Sequence, residues 1–207
     1  RNKEIAFLAS VTFFLMPAVS FSSFILSTDV LLIFFWNMSL FQLLSLLDRP
    51  RAINFILLGL FLGLAFLAKY AAVYFFLCSA FLFFEKRARV VFSNNIFSVF
   101  LLCVVFLVVI SPNIIWNINN DWITLKHASD NANFANIEIS LIRGLEFLLI
   151  QILMLGPFIV LGGLINFTKI NNNQKIFLIF SIPIILIVLV EAIIVRANAN
   201  WAAPALI

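Results

Sequence analysis

The stretch INFILLGLFLGLAFLAKYAAVYFFLCSAFLFF, residues 53–84, decides how this chain is organised. It is apolar almost throughout and is interrupted at its middle by Lys69-Tyr70. An ordinary helical crossing of a bilayer takes about 20 residues, so the stretch is too long for one. A single tilted helix would leave Lys69 near the bilayer centre, at a cost of at least ~2.5 kcal/mol. Two short helices hinged at Lys69 would instead bring the ammonium to an interface. The basic residues of the turns choose between these readings. With a cytoplasmic N-terminus and two helices, the inside set is Arg1, Lys3, Arg49, Arg51, Lys86, Arg87, Arg89, Lys169 and Lys175, against Lys69, Lys126, Arg143 and Arg196 outside. A single span would put Arg1, Lys3, Arg49, Arg51, Lys126, Arg143 and Arg196 inside against five basic residues outside, with Lys69 stranded. The first division has the stronger inside bias, so two helices meeting at Lys69 are expected.

Composition supports a lipid solvent. Of 207 residues, 64% are hydrophobic and 11% charged, where a soluble domain carries about 25% charged residues. So few charges could not cover a water-exposed surface. The 26 phenylalanines sit mostly within runs of Leu, Ile and Val. A net charge of +4 does not point to nucleic acid here, because the basic residues lie in short turns and form no single patch. Cys78 and Cys103 both fall within apolar runs and read as small buried hydrophobes.

Outward from residues 53–84, the other apolar runs are 5–27, 30–47, 91–110, 141–165 and 176–195, with a further start at Trp201. The expected fold is all-α: a polytopic transmembrane bundle of about seven complete spans plus a truncated one, forming a single domain over 1–207. Pro112 is expected to end a helix and to open one long extracytoplasmic loop, 111–140. Asn171-Asn172-Asn173 reads as a turn. The chain opens on Arg1 and stops within an apolar stretch, so both ends are expected to be cuts in a longer protein.

With this topology the polar residues gather on the extracytoplasmic face: Thr28-Asp29, Lys69-Tyr70, the 111–140 segment, and Arg196 to Trp201. Asp29 reads either as a helix cap or as a catalytic or metal-binding acid. Lys69 reads as a snorkelling anchor or as a cation that holds phosphate. Tyr70, Tyr74, Trp116 and Trp122 suit an aromatic belt. Asp121, His127 and Asp130 could hold a divalent ion, although their spacing matches no recognised metal motif. Arg143 with Glu146, and Glu191 with Arg196, read as local structural pairs.

Four segments in order then carry a resemblance. They are Ser27-Thr28-Asp29; Gly59 to Tyr70 (GLFLGLAFLAKY); Ser111 to Asn117 (SPNIIWN) with Asp121-Trp122 and His127; and Arg196 to Trp201 (RANANW) with Pro204. Together they resemble the bacterial membrane glycosyltransferases of the dolichyl-phosphate-mannose–protein mannosyltransferase superfamily, which includes aminoarabinose transferases for lipid A and rhizobial lipopolysaccharide sugar transferases. The resemblance implies an inner-membrane enzyme. It would move a sugar from a polyprenyl-phosphate donor to an extracytoplasmic acceptor, a lipid, polysaccharide or protein. It makes Asp29 the family's second acidic position and Lys69 and Arg196 lipid-phosphate contacts. Tyr70, Asn117, Asp121 and Asn200 join them as substrate contacts, and His127 becomes a metal-linked or acceptor-positioning residue. A divalent cation is the cofactor left open. The family's main catalytic acid would precede Arg1, so this stretch alone is not expected to catalyse. Two other classes stay open: a transporter or flippase, for which a broken helix is a sign, and a non-catalytic remnant of such an enzyme.

Overall fold

Lys69 ends one helix and leads into the next in the computed structural model, which describes residues 3–25, 27–132, 137–166 and 171–206. Arg1 and Lys169 of the inside set lie outside those residues. The N-terminal run forms α1 (Lys3–Leu15) and α2 (Pro17–Ile25), bent by 57° where Pro17 cannot continue the ladder of α1. There follow α3 (Thr28–Asp48) and α4 (Ala52–Ala68), then a 3-10 turn (Tyr70–Val73), α5 (Tyr74–Leu82) and α6 (Lys86–Asn94). Next come α7 (Ile96–Asn119) and α8 (Ile123–Ala132). The pair α9 (Leu141–Leu155) and α10 (Pro157–Asn166) is bent by 93° at Gly156, whose φ of 97° is one that glycine adopts without strain. The chain closes through α11 (Asn172–Ile179), α12 (Ile182–Ile194) and a 3-10 helix (Ala199–Ala205).

All regular structure among the described residues is helical. Among the described residues three helices are long and apolar enough to cross a membrane: 28–48, 96–119 and the continuous stretch 174–194. The number is five if each bent pair counts as one span. The expected seven is reached only by adding α4 and the 70–82 stretch, which are shorter than the roughly 20 residues a crossing takes. The chain is a multi-pass membrane protein. The outer face of α7 fits that setting, with Ile96, Phe97, Phe100, Leu107 and Val108 exposed.

The core is built around α4, which packs between α3 and α7. Gly59 and Gly63 face α7 so closely that a Cβ on Gly59 would lie 2.4 Å from the Leu102 carbonyl oxygen, and one on Gly63 would lie 2.7 Å from Val109 Cβ. This small-xxx-small pair lets two helix backbones approach where lipid gives no hydrophobic drive. Trp36 of α3 meets Phe75 and Phe180 edge-on, tying α3 to α5 and to the α11–α12 junction.

Two sequence expectations fail here for the same reason. Pro112 lies inside α7, which continues to Asn119, and α8 occupies 123–132, so much of the expected 111–140 loop is helix. Proline frees the carbonyl four residues back, and the Ser111 hydroxyl donates to that oxygen on Val108 at 2.8 Å. With its freed acceptor satisfied, the helix continues through Pro112. Likewise Asn171 begins a helix as its cap: its side chain accepts from Gln174 N at 2.9 Å while Gln174 Oε1 accepts from Asn171 N at 2.8 Å. Of the two cysteines, Cys78 is buried as expected, whereas Cys103 is exposed on α7.

The helix directions give the molecule two ends. Because α3 runs from Asp29 to Asp48 and α4 returns, Lys69 comes back to Asp29. The 70–82 stretch then travels the other way, so that Arg87 reaches Asp48 and the Leu47 carbonyl. That geometry is the two-helix reading of residues 53–84. The end near Asp48 carries Arg49, Arg51, Lys86, Arg87 and Arg89. The end near Asp29 carries the polar cluster.

Candidate functional site

Asp29 stands in the first turn of α3 and is 4% exposed. Its carboxylate does not cap the helix. Lys69 Nζ donates to Oδ1 at 2.5 Å, and Asn200 Nδ2 donates to Oδ2 at 2.9 Å. Both oxygens are therefore occupied by charge-assisted bonds, and the first-turn position adds the favourable field of the helix N-terminus. Lys69 can be there because α4 stops: its extended backbone (φ −162°, ψ 135°) swings the ammonium away from the apolar helix and toward Asp29. Asn200 is delivered by the C-terminal 3-10 helix. That helix is sunk against α3 and α12 through Ala202, Ala203, Pro204 and Ala205 and held by Gln151 Nε2 donating to the Ala199 carbonyl at 2.9 Å. The expected start of a new span at Trp201 is this buried segment.

A second polar knot lies next in the chain, at Tyr70. Its hydroxyl donates to Asn113 Oδ1 at 3.0 Å, stands 2.8 Å from Thr124 Oγ1 and accepts from Asn117 Nδ2 at 3.3 Å. Thr124 Oγ1 in turn donates to Asn117 Oδ1. Asn117 is 2% exposed. The knot joins the Tyr70–Val73 turn to α7 and α8, and a partly buried network of this kind restricts the arrangement of its members. Asn113 and Thr124 were not singled out from sequence. An Asn at 113 and 117, one turn apart on a largely apolar helix, was the signal available.

Between these clusters opens a cavity of about 800 Å³. Lys69, Tyr70, Tyr74, Asn113, Thr124, His127, Glu191 and Trp201 supply its polar lining, with Phe66, Leu67, Val73 and Ile123 among its apolar walls. A ligand with an apolar body and a few polar groups suits such a lining. Of the residues expected at the site, Lys69, Tyr70 and His127 line the cavity, while Asp29 and Asn200 stand behind Lys69. Asn117 and Asp121 do not line it. Asp121 is exposed, in the left-handed turn (φ 52°) that separates α7 from α8. Arg196 is exposed in the segment between α12 and the C-terminal 3-10 helix, five residues before the cavity-lining Trp201.

Other expected pairings are redrawn. Arg143 turns to Glu138, with Nη1 3.8 Å from Oε2, and not to Glu146. Glu191 and Arg196 form no ion pair; Glu191 faces the cavity. Among the described residues no three His, Cys, Asp or Glu side chains are placed to hold a metal ion, so Asp121, His127 and Asp130 do not assemble the ligand set considered from sequence. A divalent ion finds no three-ligand donor set there.

Residues 1–116 match the model of the dolichyl-phosphate-mannose-protein mannosyltransferase family. The chain belongs to this family. Asp29, Lys69, Tyr70 and Asn113 of the mannosyltransferase-family chain fall within the matched region, whereas Asn117, Thr124, Glu191 and Asn200 lie beyond it. The chain is also similar to the lipid A galacturonosyltransferase RgtD of Rhizobium johnstonii, 33% identical over 208 residues. That alignment covers 98% of this chain and 43% of the relative, so the chain spans less than half of that protein. No solved structure matches.

Proposed function

We propose that the chain is the part of a membrane glycosyltransferase that holds the phosphate of a polyprenyl-phosphate sugar, with transfer to an acceptor on the extracytoplasmic side of the inner membrane. The observation that carries this reading is Lys69: a cation at a helix break, on the wall of a large, mostly apolar cavity, held in place by a buried carboxylate. In such a transfer the acceptor oxygen attacks the anomeric carbon as the bond from that carbon to the phosphate oxygen breaks. The electron pair goes to the phosphate, and a fixed ammonium stabilises the charge that develops there. Lys69 is pre-oriented for this by Asp29, and it retains further N–H donors for a ligand.

Asp29 is assigned to positioning Lys69, since its two oxygens accept from Lys69 Nζ and Asn200 Nδ2 and it stands behind the lysine. The acceptor's proton would then go to a carboxylate other than Asp29. Arg196, exposed and with no ion pair among the described residues, is proposed as a second phosphate contact. Asn117 is proposed to position Tyr70 and Thr124. The basic end of the molecule would face the cytoplasm. In full-length protein, Lys69→Ala is expected to lower transfer from lipid-linked donor by about a hundredfold or more, the scale of losing one electrostatic stabiliser. Wild-type transfer by this variant would sink the phosphate assignment. Labelling of a cysteine at position 86 from outside the cell would overturn the orientation; labelling at position 120 from outside would support it. The helices broken at Pro17 and Gly156 are what favours the second reading, a transporter or flippase. Movement of lipid-linked sugar across vesicles without glycosylated product would decide for it.

A further inference from the structure

Glu191, which the sequence would pair with Arg196, is an acid of the cavity for which the proposed reaction has no use. It lies one turn before the end of α12, a helix otherwise made of Ile, Leu, Val, Pro and Ala. Asp29, Asp48 and Glu138 each have a cation beside them. The Glu191 carboxylate makes no ion pair or hydrogen bond among the described residues, and it lines the cavity together with Tyr74 of α5 and Trp201 of the C-terminal 3-10 helix. The packing of α12 against both α5 and that 3-10 helix brings the three side chains to one place. An ionisable group in an apolar membrane helix is costly, and it is tolerated where it faces a polar ligand or water.

We infer that Glu191, Tyr74 and Trp201 form the sugar-recognising wall of the cavity, and that the sugar they accept bears no carboxylate. The inference rests on the proposed use of a polyprenyl-phosphate donor and names the class of sugar it carries. A carboxylate accepts hydrogen bonds through two oxygens, so it complements the hydroxyls of a neutral sugar or the ammonium of an amino sugar. Tyr74 and Trp201 add broad apolar faces with one polar tip each, which suits a ring with an apolar face and a hydroxylated edge. A uronate on the same wall would oppose Glu191 with a second negative charge among mostly apolar walls, where like charges repel more strongly than in bulk water. The cations of the lining give little relief. Lys69 is already balanced by Asp29, and the phosphate claims what remains of its field. On this point the chain parts from the galacturonosyl donor class in the name of its relative.

The experiment compares binding by the full-length protein in nanodiscs of four probes: undecaprenyl phosphate, and undecaprenyl phosphate joined to glucose, to an aminopentose and to galacturonic acid. Wild type should hold the glucose or the aminopentose conjugate about tenfold or more tightly than the galacturonate conjugate, the scale of discrimination by one charged contact. Glu191→Gln should shrink that ratio several-fold, with the affinity of each conjugate taken relative to that of undecaprenyl phosphate for the same variant. A wild-type preference for the galacturonate conjugate, or an unaltered ratio in E191Q, overturns the inference alone, provided undecaprenyl phosphate binds and Lys69→Ala weakens it. Failure of wild type to bind undecaprenyl phosphate overturns both this inference and the reading beneath it. The wild-type ranking needs no variant, so poor folding of E191Q would not shelter the inference.

Discussion

Each end of α3 carries an aspartate paired with a basic residue from elsewhere in the chain, and the two pairs are built for different purposes. Asp29 and Lys69 have side chains 6% and 23% exposed, and Asn200 completes the carboxylate's shell. Asp48 and Arg87 are 53% and 45% exposed, at a turn rich in arginine. An exposed pair of this kind contributes about 0–1 kcal/mol, because water and salt screen it. A buried pair offers little net stability over apolar packing, yet removing one partner strands a charge. The pair at the cavity end holds an ammonium beside the cavity wall, where the proposed function would use it, and the pair at the other end ties Arg87 to the end of α3. The lesson is that two aspartate–cation pairs on one helix are distinguished by their surroundings.

The sharpest way to break the contrast is Asp29→Ala, which should destabilise the full-length protein by about 3–5 kcal/mol, read as denaturant unfolding in detergent. Adding Lys69→Met to that variant should restore part of the loss, since the stranded ammonium is then gone. Unfolding of D29A at the wild-type midpoint would show that the pair is not buried in the way described. Asn200→Ala comes next, at about 1.5–3 kcal/mol for a hydrogen bond to a charged group. It should also raise protease sensitivity around residues 196–206, as the C-terminal 3-10 helix loses its tie to α3. The smallest effect belongs to Arg87→Ala, at most about 1 kcal/mol and fading at high salt. A loss as large as that of D29A would erase the distinction between the two ends.

How much of this was legible depended on whether the controlling interaction was local. The break at Lys69 could be read because a lone charge in an apolar run is expensive wherever it sits, and the basic turns supplied an independent check. The family could be read from four ordered segments. The partner of Asp29 could not, since Lys69 is 40 residues away and Asn200 is 171 away, and no local pattern encodes such a contact. Position alone suggested a helix cap. Pro112 misled for the opposite reason: the local rule is sound, but the neighbouring Ser111 hydroxyl satisfies the carbonyl that proline frees. Glu191 and Arg196 sit at a spacing that allows a pair, and only the end of α12 at Val195 and the course of the chain after it decide that Glu191 turns to the cavity instead.

The shell around Asp29 also sets an order of events during synthesis. The aspartate leaves the ribosome 171 residues before the amide that completes its hydrogen bonding, a wait on the order of ten to thirty seconds at ordinary elongation rates. Lys69 emerges much sooner and can neutralise the carboxylate while the first helices settle in the bilayer. The side chain of Asn200 can arrive only after α9 and α12 have made the groove that receives its helix. The cavity therefore acquires its final shape late in biogenesis, and a nascent chain stopped short of residue 200 would hold the cation without its lock.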